Sequence, residues 1–278
     1  MFIIRFQGGL GNQMFQYALY EELKFHGLQV KADLTEYSLK TNYRQFQLGQ
    51  AFGISVDVAS KQEIFRMAGG EKNFFQKVVR KYLKGQNVYK EARVPALETI
   101  LEQKQGYLIG YWQAEHWFSD VWDKLQQEFQ FVNADENFES KCRKVAGEQS
   151  VSIHVRMGDY LNNESLYGGI CTKDYYTKAV RYICSKVEDP SFYVISDESQ
   201  KAKELFADVA VEEYICNETD FRDMQFMSNC RHNILANSSF SWWGTSLNQH
   251  KHNIVICPSK WNNWENPQDI YRKNWIKM

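Results

Sequence analysis

The chain has 278 residues, and 33 Lys+Arg against 34 Asp+Glu leave a formal charge of −1, so no global basic field exists to gather nucleic acid or an anionic membrane surface. Hydrophobic residues make up 44% and charged residues 24%, and four prolines leave no room for a long disordered or Pro-rich tract, which excludes fibrous and disordered classes. At a prior of about 150 residues per domain the length suits two domains.

At the N-terminus, Phe2-Ile3-Ile4 is followed by Arg5, an apolar run too short for the core of a signal peptide. Nowhere do about 18 apolar residues run uninterrupted, so any membrane contact is expected to be peripheral and the protein is read as cytoplasmic. The six cysteines, Cys142, Cys171, Cys184, Cys216, Cys230 and Cys257, are spaced too widely for a C-x-x-C zinc site and are read as reduced, mostly buried thiols. Aromatic residues reach 15%, enough to fill a core and to leave Trp112, Trp117, Trp242 and Trp243 as candidate platforms for a sugar ring.

In chain order, Phe2 to Phe6 reads as a strand, Gly8-Gly9-Leu10-Gly11 as a tight loop, and Asn12 as the cap of a helix running to about Phe25 and closed by Gly27. Leu28 to Asp33 completes a β-loop-α-β opening, the unit from which parallel sheets are built. From 34 to 105 only helical stretches near Ser60–Met67 and Phe74–Leu83 stand out, and the topology there stays open. Tyr107 to Trp112 is strand-like and Asp120 to Phe129 helical, after which polar residues 133–150 separate two halves. The boundary is placed near residue 145, giving domains 1–145 and 146–278.

Beyond it, strands are expected at Val151–Arg156, Phe192–Ser196, Asn233–Asn237 and Ile254–Cys257. Helices are expected at Lys173–Val187, capped by Thr172, at Asp220–Asn229 and at Trp242–Asn248. Asp197 and Glu198 stand where the next helix begins, a position that favours acids.

In open α/β sheets ligands bind beyond the carboxyl ends of the strands, so the strand-to-helix loops are the candidate sites. Gly8 to Gln13 permits close backbone approach at a helix start, but it is neither G-x-G-x-x-G nor a phosphate loop ending in Gly-Lys-Ser/Thr. In His154-Val155-Arg156-Met157-Gly158-Asp159-Tyr160, alternation puts His154 and Arg156 on one face, and a planar guanidinium there suits phosphate unless Asp159 pairs with it. Asn237 to Gly244 sets the hydroxyls of Ser238, Ser239 and Ser241 at a helix N-terminus. The chain contains no D-x-D, which disfavours a divalent-metal grip on a diphosphate.

These segments, together with Ile195-Ser196-Asp197-Glu198 and Gly110 to Phe118, occur in an order that resembles the bacterial α-1,2-fucosyltransferases of glycosyltransferase family 11 across residues 8 to about 248. The resemblance implies a GT-B fold, α/β with two Rossmann-like domains facing across a cleft, the first on the acceptor side and the second binding GDP-fucose. It implies inverting transfer of L-fucose from GDP-β-L-fucose to the 2-hydroxyl of a terminal galactose, in an O-antigen or another oligosaccharide that lipid can carry. Neither metal nor cofactor is implied, and a lipid-linked acceptor would bring the enzyme to the inner face of the membrane.

By the same resemblance Arg156 contacts the β-phosphate, His154 and Asp223 contact guanine, and Ser196, Asp197, Ser238, Ser239, Phe240 and Ser241 complete the donor side. Gly9, Gly11, Asn12, Gln13 and Trp112 line the fucose and acceptor side. Asp159 is the first choice for a base toward the acceptor hydroxyl and His154 the second. Many relatives carry a second arginine where this chain has Met157. Two alternatives remain: a transferase of the same fold using another GDP-sugar or acceptor, and a Rossmann-type oxidoreductase, for which Asp33 follows Gly11 by about 20 residues as a ribose-binding acid would.

Overall fold

The computed structural model describes residues 1–39, 44–68, 87–156, 164–216, 219–264 and 270–278. It divides into two units, Met1–Gln130 and Phe131–Met278, each built on a parallel sheet.

In the first unit β1 (Phe2–Arg5), β2 (Val30–Asp33), β3 (Val88–Lys90) and β4 (Gly106–Ile109) lie in the order β2-β1-β4-β3. Phe2 stands opposite both Val30 and Gly106. Phe2, Ile3 and Ile4 are all fully buried, as a continuous apolar run must be in a strand covered on both faces. Helix α1 (Leu10–Phe25) begins at Gly9, so Asn12 lies inside its first turn and does not cap it. At its other end Gly27 takes φ 75°, and the Leu28 N–H reaches back to the Leu23 carbonyl at 3.0 Å, the left-handed stop that glycine permits. Further helices are α2 (Leu48–Phe52), α3 (Lys61–Ala68), α4 (Leu97–Leu101) and α5 (Trp122–Glu128). The helix expected near 74–83 lies outside the described residues. Strand β4 stops at Ile109, short of the expected Trp112, because Gly110 and a left-handed Trp112 (φ 58°) turn the chain away from the sheet.

The second unit begins about fifteen residues before the expected boundary. Its first helix α6 (Glu136–Gly147) is capped by Asp135, which accepts the Phe138 N–H at 3.0 Å. Only Cys142 and Val145 are buried in it, so one short apolar ridge inside a polar run hid the helix from a periodicity reading. There follow β5 (Ser150–Val155), α7 (Glu164–Tyr167), α8 (Lys173–Cys184), β6 (Ser191–Ser196), α9 (Ser199–Leu205), β7 (Val211–Ile215), α10 (Asp220–Asn229), β8 (His232–Ile234), α11 (Ser239–Ser246), β9 (Val255–Cys257) and β10 (Ile276–Lys277). Thr172 caps α8 by accepting the Tyr175 N–H, as expected. Of the cysteines, Cys142, Cys230 and Cys257 are buried, Cys171 is half-buried, and Cys184 and Cys216 are exposed.

The strand order is β10-β9-β8-β5-β6-β7, all parallel. Val151, Ile153 and Val155 of β5 pack with Val194, Ile234 and Ile256 and against Tyr176, Ala179 and Ile183 of α8. The chain leaves β5 toward β6 on one side and returns from β7 to β8 on the other. The loops after β5 and β8 therefore diverge, and the sheet has its topological switch point between those two strands. The fold class is that expected, mixed α/β with parallel sheets of the GT-B kind.

Candidate active site

Three segments meet at the carboxyl edge of the second sheet, around its switch point: the end of β5, the end of β6 and the start of α11. Strand β5 delivers His154 and then Arg156, two residues on and beyond the last paired position. The neighbouring strand β6 ends at Ser196, and Asp197 follows. The Arg156 guanidinium pairs with the Asp197 carboxylate at 3.1 Å, with both side chains about a quarter exposed. The expected competitor Asp159, and Met157 beside it, lie outside the described residues. A guanidinium at this edge, about a quarter exposed, presents a planar fork of N–H donors whose shape and permanent charge suit an anion.

His154 is 4% exposed, and its ring lies 5.1 Å from the Phe240 ring at an interplanar angle of 33°. Its Nδ1 is buried without a hydrogen-bond partner among the described residues. Burial, helped by the nearby Arg156 charge, pushes its pKa down to about 3, so the imidazole is neutral at physiological pH. A group of such low proton affinity is a poor general base, and the geometry favours it as a neutral hydrogen-bonding partner over the proton acceptor weighed for it.

The serines divide. Ser238 is the N-cap of α11 and accepts the Phe240 N–H at 3.3 Å, while Ser239 is half-buried in the first turn. Ser241 is fully buried and donates to the Ala236 carbonyl at 3.0 Å, which corrects the expectation that it faces a phosphate. Its hydroxyl is occupied in shaping the loop. Ser196 is 3% exposed and accepts the Glu198 N–H at 3.1 Å, ordering the turn that carries Asp197. Asp223 is half-buried in the first turn of α10, and α10 packs closely on α11, since a Cβ on Gly244 would stand 2.9 Å from the Met227 sulfur.

At the carboxyl edge of the first sheet the loops after β1 and β4 lie side by side, because those strands are neighbours. Buried Gln16 joins them: its Oε1 accepts the Gln7 N–H and its Nε2 donates to the Gly110 carbonyl, both at 3.0 Å. Gln113 donates to Asn12 Oδ1 at 2.7 Å. Gly8 takes φ 82°, and a Cβ on it would stand 2.5 Å from Asn12 Nδ2; a Cβ on Gly9 would meet the Arg44 guanidinium. Gly8 is thus demanded by its backbone angle and by its contact with Asn12. Gly11 is buried within α1.

Two acceptor-side expectations are corrected. Gln13 is fully buried and its amide is used up: Nε2 donates to the Gly8 and Gln45 carbonyls and Oε1 accepts the Gln47 N–H. Trp112 is fully buried, packed edge-on against Trp117 at 4.9 Å, and Trp242 and Trp243 are fully buried too. A ring with no exposed face is no platform for a sugar. Asp33 is 2% exposed and accepts the Thr35 N–H and the Tyr107 hydroxyl, so it is spent inside the fold and the oxidoreductase alternative loses its ribose acid.

Several residues here carried no motif in the sequence. Glu91, just after β3, accepts the Tyr111 N–H at 2.7 Å and the Gln113 N–H at 3.3 Å. Burial raises its pKa against these hydrogen bonds. Arg5 pairs with Glu36 at 2.9 Å, and Tyr37 donates to the Gly8 carbonyl at 3.1 Å. Nothing in local periodicity marks such partners, which the sheet gathers from four separate loops. Among the described residues no helix is long and apolar enough to cross a membrane.

Comparison with known proteins accords with this architecture. An Escherichia coli alpha-1,2-colitosyltransferase is 32% identical over 289 aligned positions, covering 99% of this chain and 98% of that protein. The Escherichia coli O-antigen biosynthesis glycosyltransferase WbnK is 32% identical over 301, covering 98% of each. Among solved structures, the fucosyltransferase NodZ from Bradyrhizobium superposes with a TM-score of 0.50 at 13% identity, over 88% of this chain and 92% of that one, a likeness of fold. An Arabidopsis thaliana FUT1 variant in complex with GDP also reaches 0.50, at 12% identity, over 90% of this chain and 69% of that one. The family model for glycosyl transferase family 11 matches residues 1–278, so the chain is a glycosyltransferase that belongs to that family.

Proposed function

We propose that this protein is an inverting galactoside α-1,2-fucosyltransferase that moves L-fucose from GDP-β-L-fucose to the 2-hydroxyl of a terminal galactose in an O-antigen or related oligosaccharide. The observation that carries the reading is the grouping of Arg156, Asp197, His154 and Phe240 at the switch point of the second sheet. The acceptor oxygen attacks the anomeric carbon, the bond from that carbon to the diphosphate breaks, and GDP leaves with its electron pair while the acceptor loses its proton. Charge grows on the departing diphosphate, and a pre-placed guanidinium beside a helix start is the electrostatic device that lowers such a barrier. Neutral His154 and half-buried Asp223 suit hydrogen bonding to guanine, and Phe240 offers it an apolar neighbour. Asp159 is retained as the proposed base.

Divalent metal is unnecessary in this reading, since no D-x-D is available to hold it and Arg156 supplies the cation. A lipid-carried acceptor would draw the enzyme to the inner membrane surface, where a local patch must serve because the chain has no basic excess. A second reading is favoured by the 32% identical alpha-1,2-colitosyltransferase: transfer of colitose, which is L-fucose without its 3-hydroxyl, in place of fucose.

The test is GDP release in the presence of EDTA, comparing GDP-fucose, GDP-colitose and GDP-mannose with lactose, N-acetyllactosamine and Galβ1,3GalNAc. Acceptor-dependent release with GDP-fucose, giving an α-1,2 linkage by NMR of the product, is the expected result. Release with GDP-colitose alone would transfer the assignment to the second reading, and dependence on added Mg²⁺ would overturn the metal-free mechanism.

A further inference from the structure

The first sheet's carboxyl edge holds an exposed ring, that of Tyr111. Tyr111, on the loop after β4, is 40% exposed, whereas its neighbour Trp112 is fully buried and Trp117 is 4% exposed. The difference comes from the turn. Gly110 follows the last strand residue, Trp112 adopts φ 58°, and burial changes from one residue to the next along the turn. A left-handed tryptophan is costly and persists only where its surroundings hold it.

Glu91 provides that hold. Its carboxylate receives the N–H groups of Tyr111 and Gln113, spanning Trp112 from both sides. Gly110 leaves room for it, since a Cβ there would collide with the Glu91 side chain. Gln113, fixed in turn, donates to Asn12 Oδ1 in the glycine loop. Glu36, Arg44 and Arg5 are the charged groups that act on the Tyr111 hydroxyl, and Arg5 and Glu36 pair with each other at 2.9 Å. A partly exposed aromatic ring on a turn held beside the glycine loop suits a pyranose, which offers C–H groups on one face and hydroxyls at its edge.

We infer that Tyr111 is an acceptor-contacting residue, its ring packing on the terminal galactose, and that Glu91 is the positioning residue that presents it by holding the Gly110–Gln113 turn. The inference rests on the galactoside-acceptor reading above, and its ligand class is the β-galactoside.

The experiment measures acceptor and donor KM for lactose and GDP-fucose in Tyr111→Ala, Tyr111→Phe, Glu91→Ala, Glu91→Gln and the double variant Tyr111→Ala/Glu91→Ala. Tyr111→Ala should raise the acceptor KM on the order of 10-fold, the scale of one aromatic contact, with the donor KM unchanged, while Tyr111→Phe keeps most of the affinity. Glu91→Ala should raise the acceptor KM similarly, Glu91→Gln should recover part of it through its remaining acceptor oxygen, and the double variant should be no worse than Glu91→Ala alone. An acceptor KM within twofold of wild type in Tyr111→Ala overturns the contact. A lowered Tm with unchanged acceptor KM in Glu91→Ala overturns the positioning role.

Saturation-transfer NMR with lactose separates this inference from the donor assignment. Lactose signals present in wild type and lost in Tyr111→Ala sustain it even where no GDP-fucose is consumed. Their absence in wild type overturns it.

Discussion

The two sheet edges use their loops in opposite ways. At the edge of the second sheet the candidate groups sit on the strand ends themselves, where His154 and Arg156 are two residues apart and Asp197 follows the adjacent strand. At the edge of the first sheet most polar groups are occupied in holding backbone: Gln13, Gln16, Glu91 and Tyr37 all bond to main-chain atoms. The second edge is therefore charged, with its groups gathered at neighbouring strand ends. The first is a scaffold of side chains bonded to main chain, with Tyr111 left exposed beside it.

Substitutions in the two regions should separate stability from chemistry. The largest effect is expected from Trp112→Ala, which empties a fully buried site in the first unit and should cost about 3–5 kcal/mol in urea denaturation. Little loss there would contradict the burial of that ring. Arg156→Ala should leave the denaturation midpoint near wild type and raise the barrier to transfer by about 2.7–4 kcal/mol, read as kcat in the GDP-release assay. Wild-type turnover would remove Arg156 from the mechanism.

Next comes pH. His154, ordinarily near 6.5, is held at about 3 in the folded chain, so below pH 6.5 the unfolded state binds a proton that the folded state refuses. The associated stability is complete above pH 6.5 and is lost as pH falls toward 3, about 2 kcal/mol of it by pH 5. Buried His232, held down to about 4, adds a loss in the same window. Denaturation series at pH 7 and pH 5 should show the slope shrink in His154→Gln and persist in part through His232; an unchanged slope in His154→Gln would refute the neutral buried imidazole.

The smallest effects compare two adjacent glycines. Gly8→Ala forces a side chain into φ 82° and against Asn12, and should lower stability by about 1–2 kcal/mol. Gly9→Ala meets only the far end of the Arg44 side chain, which can swing aside, and should cost less. Equal losses by calorimetry would show that Arg44 is as fixed as backbone.

Most of the strands, the α10 helix from Asp220 to Asn229 and the Thr172 cap were legible in the sequence, because apolar runs, 3.6-residue spacing and cap chemistry are local signals. Helix α6 was not, since its two buried residues are too few to set a period. The domain boundary moved with it. The short strand β10 was missed because two residues set no pattern and its pairing with β9 is made by tertiary contact. In the candidate site the sequence marked Arg156, Asp197 and the Ser238–Ser241 helix start, but not which hydroxyls turn inward. Ser241 and Gln13 looked like ligand groups and serve the fold.

What the sequence by itself determined is the alternation of strands and helices, the family motifs and the placement of an arginine and a histidine at one strand end, all of which follow from spacing along the chain. Only the tertiary structure decided that Arg156 pairs with Asp197, that His154 lies neutral against Phe240, and that Tyr111 is exposed while Trp112 is buried. The physical reason is that burial, proton affinity and the sign of φ at one residue depend on groups brought from 20 to more than 100 positions away, as Glu91 is to Tyr111 and Gln113 to Asn12.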